Sequence, residues 1–107
     1  MKHALYDIAD LAEKRRRSGE EYLEFLKVPA LNAGVYELAA GAKDTQTPHD
    51  EDEVYYVLAG RAKLRIGASS TPLRPGSVIY VKADVEHRFE AIEEDLRLLV
   101  FFSSAKA

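Results

Sequence analysis

Three side chains in this sequence carry the chemistry of metal ligands or of an acid–base couple: His49 and Glu53, four residues apart, and His87. Neutral imidazole and carboxylate together suit Zn²⁺, Fe²⁺, Mn²⁺ or Ni²⁺. Two histidines and one carboxylate with open positions is also the ligand set of non-haem iron centres. The first two lie in TQTPHDEDEVYYVLAG, Thr45 to Gly60, which is polar and acidic in its first half and β-branched and aromatic in its second. In an extended chain, residues of equal parity share a face. A run beginning by Thr47 then points Thr47, His49, Glu51, Glu53, Tyr55 and Val57 one way, and Val54, Tyr56 and Leu58 the other. An imidazole and a carboxylate on an inner face are costly unless paired, hydrated or bound to an ion. His87 opens a second run and is expected to share its face with Phe89 and Ala91. On spacing alone the alternative stays open that these are surface polar residues near strand ends that never meet.

The elements that must position these groups are a short helix and many strands. Asp7 can cap a helix, because its carboxylate accepts from the free N–H groups that follow. Ile8, Leu11 and Ala12 repeat at helical spacing, Arg15, Arg16 and Arg17 suit the C-terminal end of the helix dipole, and Gly19 is a stop. The arginine run reads as a solvated helix end or as a phosphate patch. From Tyr22 the period becomes two: YLEFLKV, AGVYELAA, EVYYVLAG, RAKLRIG, SVIYVKA, HRFEAI and LRLLVFF each read as strands. Turns are expected at Pro29, Gly41, Gly60, Gly67–Thr71 and Glu93–Asp95, with a type II turn at Arg74–Ser77 around Pro75 and Gly76. This rhythm predicts an all-β fold, a sandwich, jelly roll or barrel.

Composition narrows the function classes. The 107 residues suit a single domain, a helical lead-in at about 7–18 followed by a β region at about 22–102. A net charge of −3 argues against nucleic acid as a partner. With no cysteine, disulfides, thiolate metal sites and cysteine nucleophiles are excluded. No apolar run approaches the roughly 20 residues that span a bilayer, and the N-terminus does not read as a signal peptide, so no membrane partner and a cytoplasmic location are expected. No P-loop, Rossmann or G-x-S-x-G pattern is present.

The segment Gly41 to Gly60 resembles the first motif of the cupin superfamily, G-x5-H-x-H-x3-E-x6-G. Gly41, His49, Glu53 and Gly60 match, and Thr47 stands where the first histidine would be. The segment from Gly76 resembles the second motif, G-x5-P-x-G-x2-H-x3-N. Gly76 and His87 match, while Lys82, Asp84 and Ala91 replace the proline, glycine and asparagine. The resemblance spans about Leu31 to Phe102. It implies a double-sheet antiparallel jelly roll with a site in its mouth that holds one divalent ion, Fe, Zn, Mn or Ni, through His49, Glu53 and His87. Gln46 could substitute for the missing histidine through its side-chain carbonyl, and Thr47 is a poor ligand. Tyr36, Tyr55 and Phe101 are candidates to line the pocket.

Two functions follow. One is a small metal-dependent enzyme, of dioxygenase or isomerase type, acting on an oxygen-rich small molecule that chelates the ion. The other is a non-catalytic module, a sensor or store, using the same pocket. Edge strands of an open jelly roll need covering, so a homodimer through YLEFLKV or LRLLVFF is expected.

Overall fold

The computed structural model describes residues 2–103. One helix precedes six antiparallel strands: α1 (Ile8–Ser18), β1 (Tyr22–Val28), β2 (Leu31–Leu38), β3 (Glu53–Ile66), β4 (Ser69–Leu73), β5 (Val78–Val81) and β6 (His87–Ser103). The Asp7 carboxylate accepts from the amides of Ala9 and Asp10, and Gly19 closes the helix in the left-handed region at φ 75°. Leu11 is buried against the sheet. Arg15 reaches Glu37 of β2 at 3.0 Å, and Arg97 of β6 holds the same carboxylate at 2.8 Å. Arg16 and Arg17 both pair with Glu13 of their own helix, so all three arginines of the run have a carboxylate partner within the chain.

The strand order is β1-β2-β6-β3-β4, with β5 on the free side of the first half of β3. Two strands are longer than the spacing suggested. EVYYVLAG and RAKLRIG are one strand, β3, and HRFEAI and LRLLVFF are one strand, β6. Gly60 and Glu93–Asp95, expected as turns, are instead places where the β3–β6 register shifts while pairing continues. Gly60 sits at φ 95°, and a methyl on its Cα would overlap the Asp95 carbonyl, so the two backbones approach closely there. Residues 69–73, partly expected as turn, pair with Ala62–Ile66 as β4. LRLLVFF is therefore hydrogen-bonded on both sides, to β2 and β3, and is not an edge open to a partner; among the described residues β1, β4 and β5 each pair on one side only.

The inner faces close around Leu38, Tyr55, Val57, Leu64, Phe89 and Leu98, with further aliphatic residues filling between them. The two bulge-shifted strands β3 and β6 run through both sides of this core, so the jelly roll is a continuous antiparallel network rather than two separate sheets. Among the described residues, two have left-handed backbones without being glycine: Asp84 at φ 66° and Ala91 at φ 48°. These are the positions where the cupin pattern carries glycine and asparagine, residue types that tolerate that conformation. The backbone shape is kept although the residues have changed. The bend at Ala91 also breaks the expected parity, since Phe89 is buried while Ala91 is exposed.

Candidate functional site

Glu53 opens β3, across from Phe102, and His87 opens β6, across from Ile66, at the two ends of the β3–β6 ladder. Glu53, Tyr55 and Val57 alternate inward, as parity requires, and all are buried. The run does not extend back to Thr47. Residues 45–52 form an irregular segment, in which Thr47 is exposed and Gln46 and His49 are partly buried.

Glu53 and His87 meet. Glu53 Oε1 lies 2.7 Å from His87 Nε2, with both side chains 1% exposed. The Tyr55 hydroxyl lies 2.8 Å from the same nitrogen. His87 Nδ1 lies 2.8 Å from the Val85 carbonyl. A carbonyl only accepts, so Nδ1 carries a proton and donates. Nε2 then faces a carboxylate oxygen at hydrogen-bond distance, which requires a positive species between them: a proton or a cation. Burial works against the imidazolium. The bonds to Glu53 and to the Val85 carbonyl outweigh it and raise the His87 pKa above its ordinary 6.5. Glu53 Oε2 is buried and has no hydrogen-bond partner.

From Tyr55 the network continues outward. The Tyr55 hydroxyl is 3.3 Å from Gln46 Oε1, and Gln46 Nε2 donates to Asp44 Oδ2 at 2.6 Å. Asp44, only 6% exposed, also accepts from the Tyr36 hydroxyl, the Gln46 amide and the Phe89 amide. Burial first, and neighbouring carboxylates second, push the tyrosine hydroxyls up: Tyr22 to about 12, and Tyr36 and Tyr55 further. All three stay protonated near neutral pH and act as donors.

A cavity of about 190 Å³ opens against this network, lined by Tyr22, Tyr36, Gln46, His49, Tyr55, Val100 and Phe102. Pockets for drug-sized ligands run to roughly 300–1,000 Å³, so this one suits a smaller molecule. Tyr22 lies over Gly34, where a methyl would overlap its hydroxyl. That hydroxyl is buried without a partner. Glu53 and His87 are not in the lining; they lie one layer deeper, reached through Tyr55 and Gln46. Two candidates fall elsewhere. Thr47 is exposed and off the cavity. Phe101 pairs with Val54 on the outer face and lines a groove beneath the N-terminal segment, whereas its neighbour Phe102 pairs with Glu53 and faces the cavity. Asp44 is not marked as a site residue by any motif in the sequence. Its only local signal was an acid two residues before Gln46.

The chain matches the model of the cupin domain over residues 34–102. It belongs to the cupin family. An uncharacterized protein of Streptomyces coelicolor, SCO3923, is 44% identical over 98 residues, covering 92% of this chain and 93% of that protein. A solved structure of unknown function from Rhizobium leguminosarum superposes at a TM-score of 0.77 with 20% identity, over 95% of this chain and 97% of that one. The DMSP lyase DddQ from Ruegeria pomeroyi superposes at 0.66 with 25% identity, over 71% of this chain; the match spans only 39% of DddQ. Among the described residues no helix is long and apolar enough to cross a membrane.

Cupins often hold a metal ion, and the residues here can be tested for one. Among the described residues no group of three or more His, Cys, Asp and Glu side chains is arranged to hold an ion. His49 stands away from the other two donors. A metal–nitrogen bond of about 2.0–2.1 Å would bring two imidazoles on neighbouring positions of one ion to about 4.5–5.2 Å between ring centres. The His49 and His87 rings are 6.4 Å apart, and His49 packs on Phe102 at 5.1 Å. Two donors do fit. Glu53 has a free buried oxygen, and His87 donates through Nδ1 to a backbone carbonyl, the arrangement that fixes a ligating imidazole.

Proposed function

We propose that this cupin takes a small oxygen-rich molecule into the cavity and acts on it as a metal-dependent enzyme, with a divalent ion held by Glu53 and His87. The observation that carries this is the buried Glu53–His87 couple, whose facing atoms need a positive species between them and whose Oε2 is unpartnered. Bound there, the ion would supply Lewis-acid polarisation of a chelating oxygen, or oxygen activation if it is iron. The chain's own residues do the rest. The Val85 carbonyl fixes the tautomer of His87. Tyr55, held protonated, can donate to a ligand oxygen beside the couple. Tyr22, Tyr36, Val100 and Phe102 wall the ligand from water. The likeness to a protein named as a lyase is a precedent for an enzyme on this fold.

A second reading, a metal-free binding module, is favoured by the 6.4 Å between His49 and His87 and by the raised basicity of His87. In it a proton occupies the place of the ion. Elemental mass spectrometry on protein purified without chelator, beside Glu53→Gln and His87→Gln, separates the two. Near-stoichiometric metal lost in both variants supports the enzyme. Wild type that stays metal-free after reloading with Fe²⁺, Mn²⁺, Zn²⁺ and Ni²⁺ overturns it in favour of the module.

A further inference from the structure

We infer that the cavity recognises a compact organic cation, an alkylated ammonium group, held among the rings of Tyr22, Tyr36, Tyr55 and Phe102 with the Glu53 and Asp44 carboxylates behind them. The inference rests on the cavity being the ligand site of the reading above, and not on the metal. It gives that ligand a positively charged end.

Aromatic rings make up most of the cavity wall. Tyr22 stands at 72° to Tyr36 and at 80° to Phe102, with ring centres 6.2 and 6.5 Å apart. The edge-on pairs that are packed tightly nearby, Tyr55 on Phe89 and His49 on Phe102, lie at 5.0 and 5.1 Å. The steep, looser pairs around Tyr22 therefore form a corner rather than a filled contact. Gly34 makes that corner possible, because a Cβ there would overlap the Tyr22 ring. A ring face carries the negative part of the aromatic quadrupole, and a cation within about 6 Å of several ring centres is attracted by each of them.

The charge behind the rings has the matching sign. Among the described residues no lysine or arginine lines the cavity. Glu53 and Asp44 are both buried. In the metal-free protein a protonated His87 offsets one of these carboxylates, so the layer keeps a net negative charge. Besides burial, the charges that push the tyrosine hydroxyls up are carboxylates: Glu53 acts on Tyr22 and Tyr55, and Asp44 on Tyr36 and Tyr55. The polar groups of the wall have committed protons inward. The Tyr36 hydroxyl and the Gln46 NH₂ both donate to Asp44, at 3.1 and 2.6 Å. They leave lone pairs for a guest, which suit a cation and repel an anion.

Size and hydration select the kind of cation. An apolar cavity of about 150 Å³ holds one benzene. The 190 Å³ here therefore suits a group of about five to eight non-hydrogen atoms. A small inorganic ion would leave most of the walls untouched and lose its hydration shell. An alkylated ammonium fills the space with methyl groups and is the kind of cation that aromatic cages take.

The test titrates the full chain, with chelator present and at constant ionic strength, with tetramethylammonium, with tert-butanol as a neutral guest of similar size, and with pivalate as an anionic one. Calorimetry reads binding beside tyrosine fluorescence, which is unmasked because the chain has no tryptophan. Tetramethylammonium is expected to bind at least about 10-fold tighter than either of the others. Tyr22→Leu and Phe102→Leu, each checked for folding by thermal melting, are expected to lose about 10-fold. Tyr22→Phe, which keeps the ring, is expected to lose less than Tyr22→Leu; a tyrosine with a merely structural role would not show that order. If tert-butanol or pivalate binds as tightly as the cation, or if both folded leucine variants bind the cation like wild type, the inference alone is overturned. If none of the three guests binds, both the inference and the use of this cavity as a ligand site fail.

Discussion

Replacing Glu53 separates the loss of a buried charge from the loss of a shape. Its side chain and that of His87 are each 1% exposed, and they meet at 2.7 Å. Removing one partner of such a pair costs about 3–5 kcal/mol when the other charge is left stranded. His87 has an escape: it can give up its proton and accept from the Tyr55 hydroxyl at 2.8 Å. For Glu53→Ala that places the cost at the low end, about 3 kcal/mol. Glu53→Gln differs. Its amide can donate to the neutral Nε2 while Nδ1 still donates to Val85, so the contact survives uncharged, and the cost should be within about 1 kcal/mol. For a domain of this size each kcal/mol moves the melting temperature by about 4–8 °C. Glu53→Ala should therefore melt about 12–24 °C below wild type, a large share of a stability of roughly 5–15 kcal/mol. The assay is urea and thermal unfolding at pH 7 with chelator present, so that no ion contributes. Equal losses in the two variants, or an alanine variant as stable as wild type, would refute the description of the couple as a buried, charged and hydrogen-bonded pair.

Other outcomes follow from the same geometry. In chelator-treated protein the His87–Glu53 contribution should be fully present below about pH 6.5, because the folded pKa of His87 is raised above that unfolded value, and should be lost as pH rises through the folded value; the slope of stability against pH above 6.5 should vanish in His87→Gln. Ala91→Asn should raise stability by about 1 kcal/mol or less, since Ala91 is exposed at φ 48° and asparagine tolerates that conformation; a drop in melting temperature would count against backbone strain there. Gly60→Ala should cost at least about 2–3 kcal/mol, as its methyl would meet the Asp95 carbonyl, which is backbone and cannot rotate away. Gly67→Ala, also at positive φ but with open space around it, should cost only about 1 kcal/mol; similar losses at the two glycines would show that φ alone, and not the close approach of β3 to β6, sets the penalty.

Sequence alone determined what is settled within a few residues. Asp7 and Gly19 bound the helix because capping is local chemistry, and the helix runs Ile8–Ser18 between them. The alternation in EVYYV determined that Glu53, Tyr55 and Val57 face inward, and the spacing of Gly41, His49, Glu53, Gly60, Gly76 and His87 was enough to point to the cupin family. Tertiary structure decided the rest, because it depends on partners far along the chain. Whether Gly60 ends a strand or bends one turns on Asp95 lying across from it. Whether Phe101 or Phe102 faces the cavity turns on a register set by bulges, where a shift of one residue exchanges the faces. Asp44 looked like one more loop acid until the Phe89 amide, the Tyr36 hydroxyl and Gln46 closed on it. His49, equal to His87 in the sequence, is held apart from it by packing on Phe102. The pattern named the donors, and only the fold decided which of them meet.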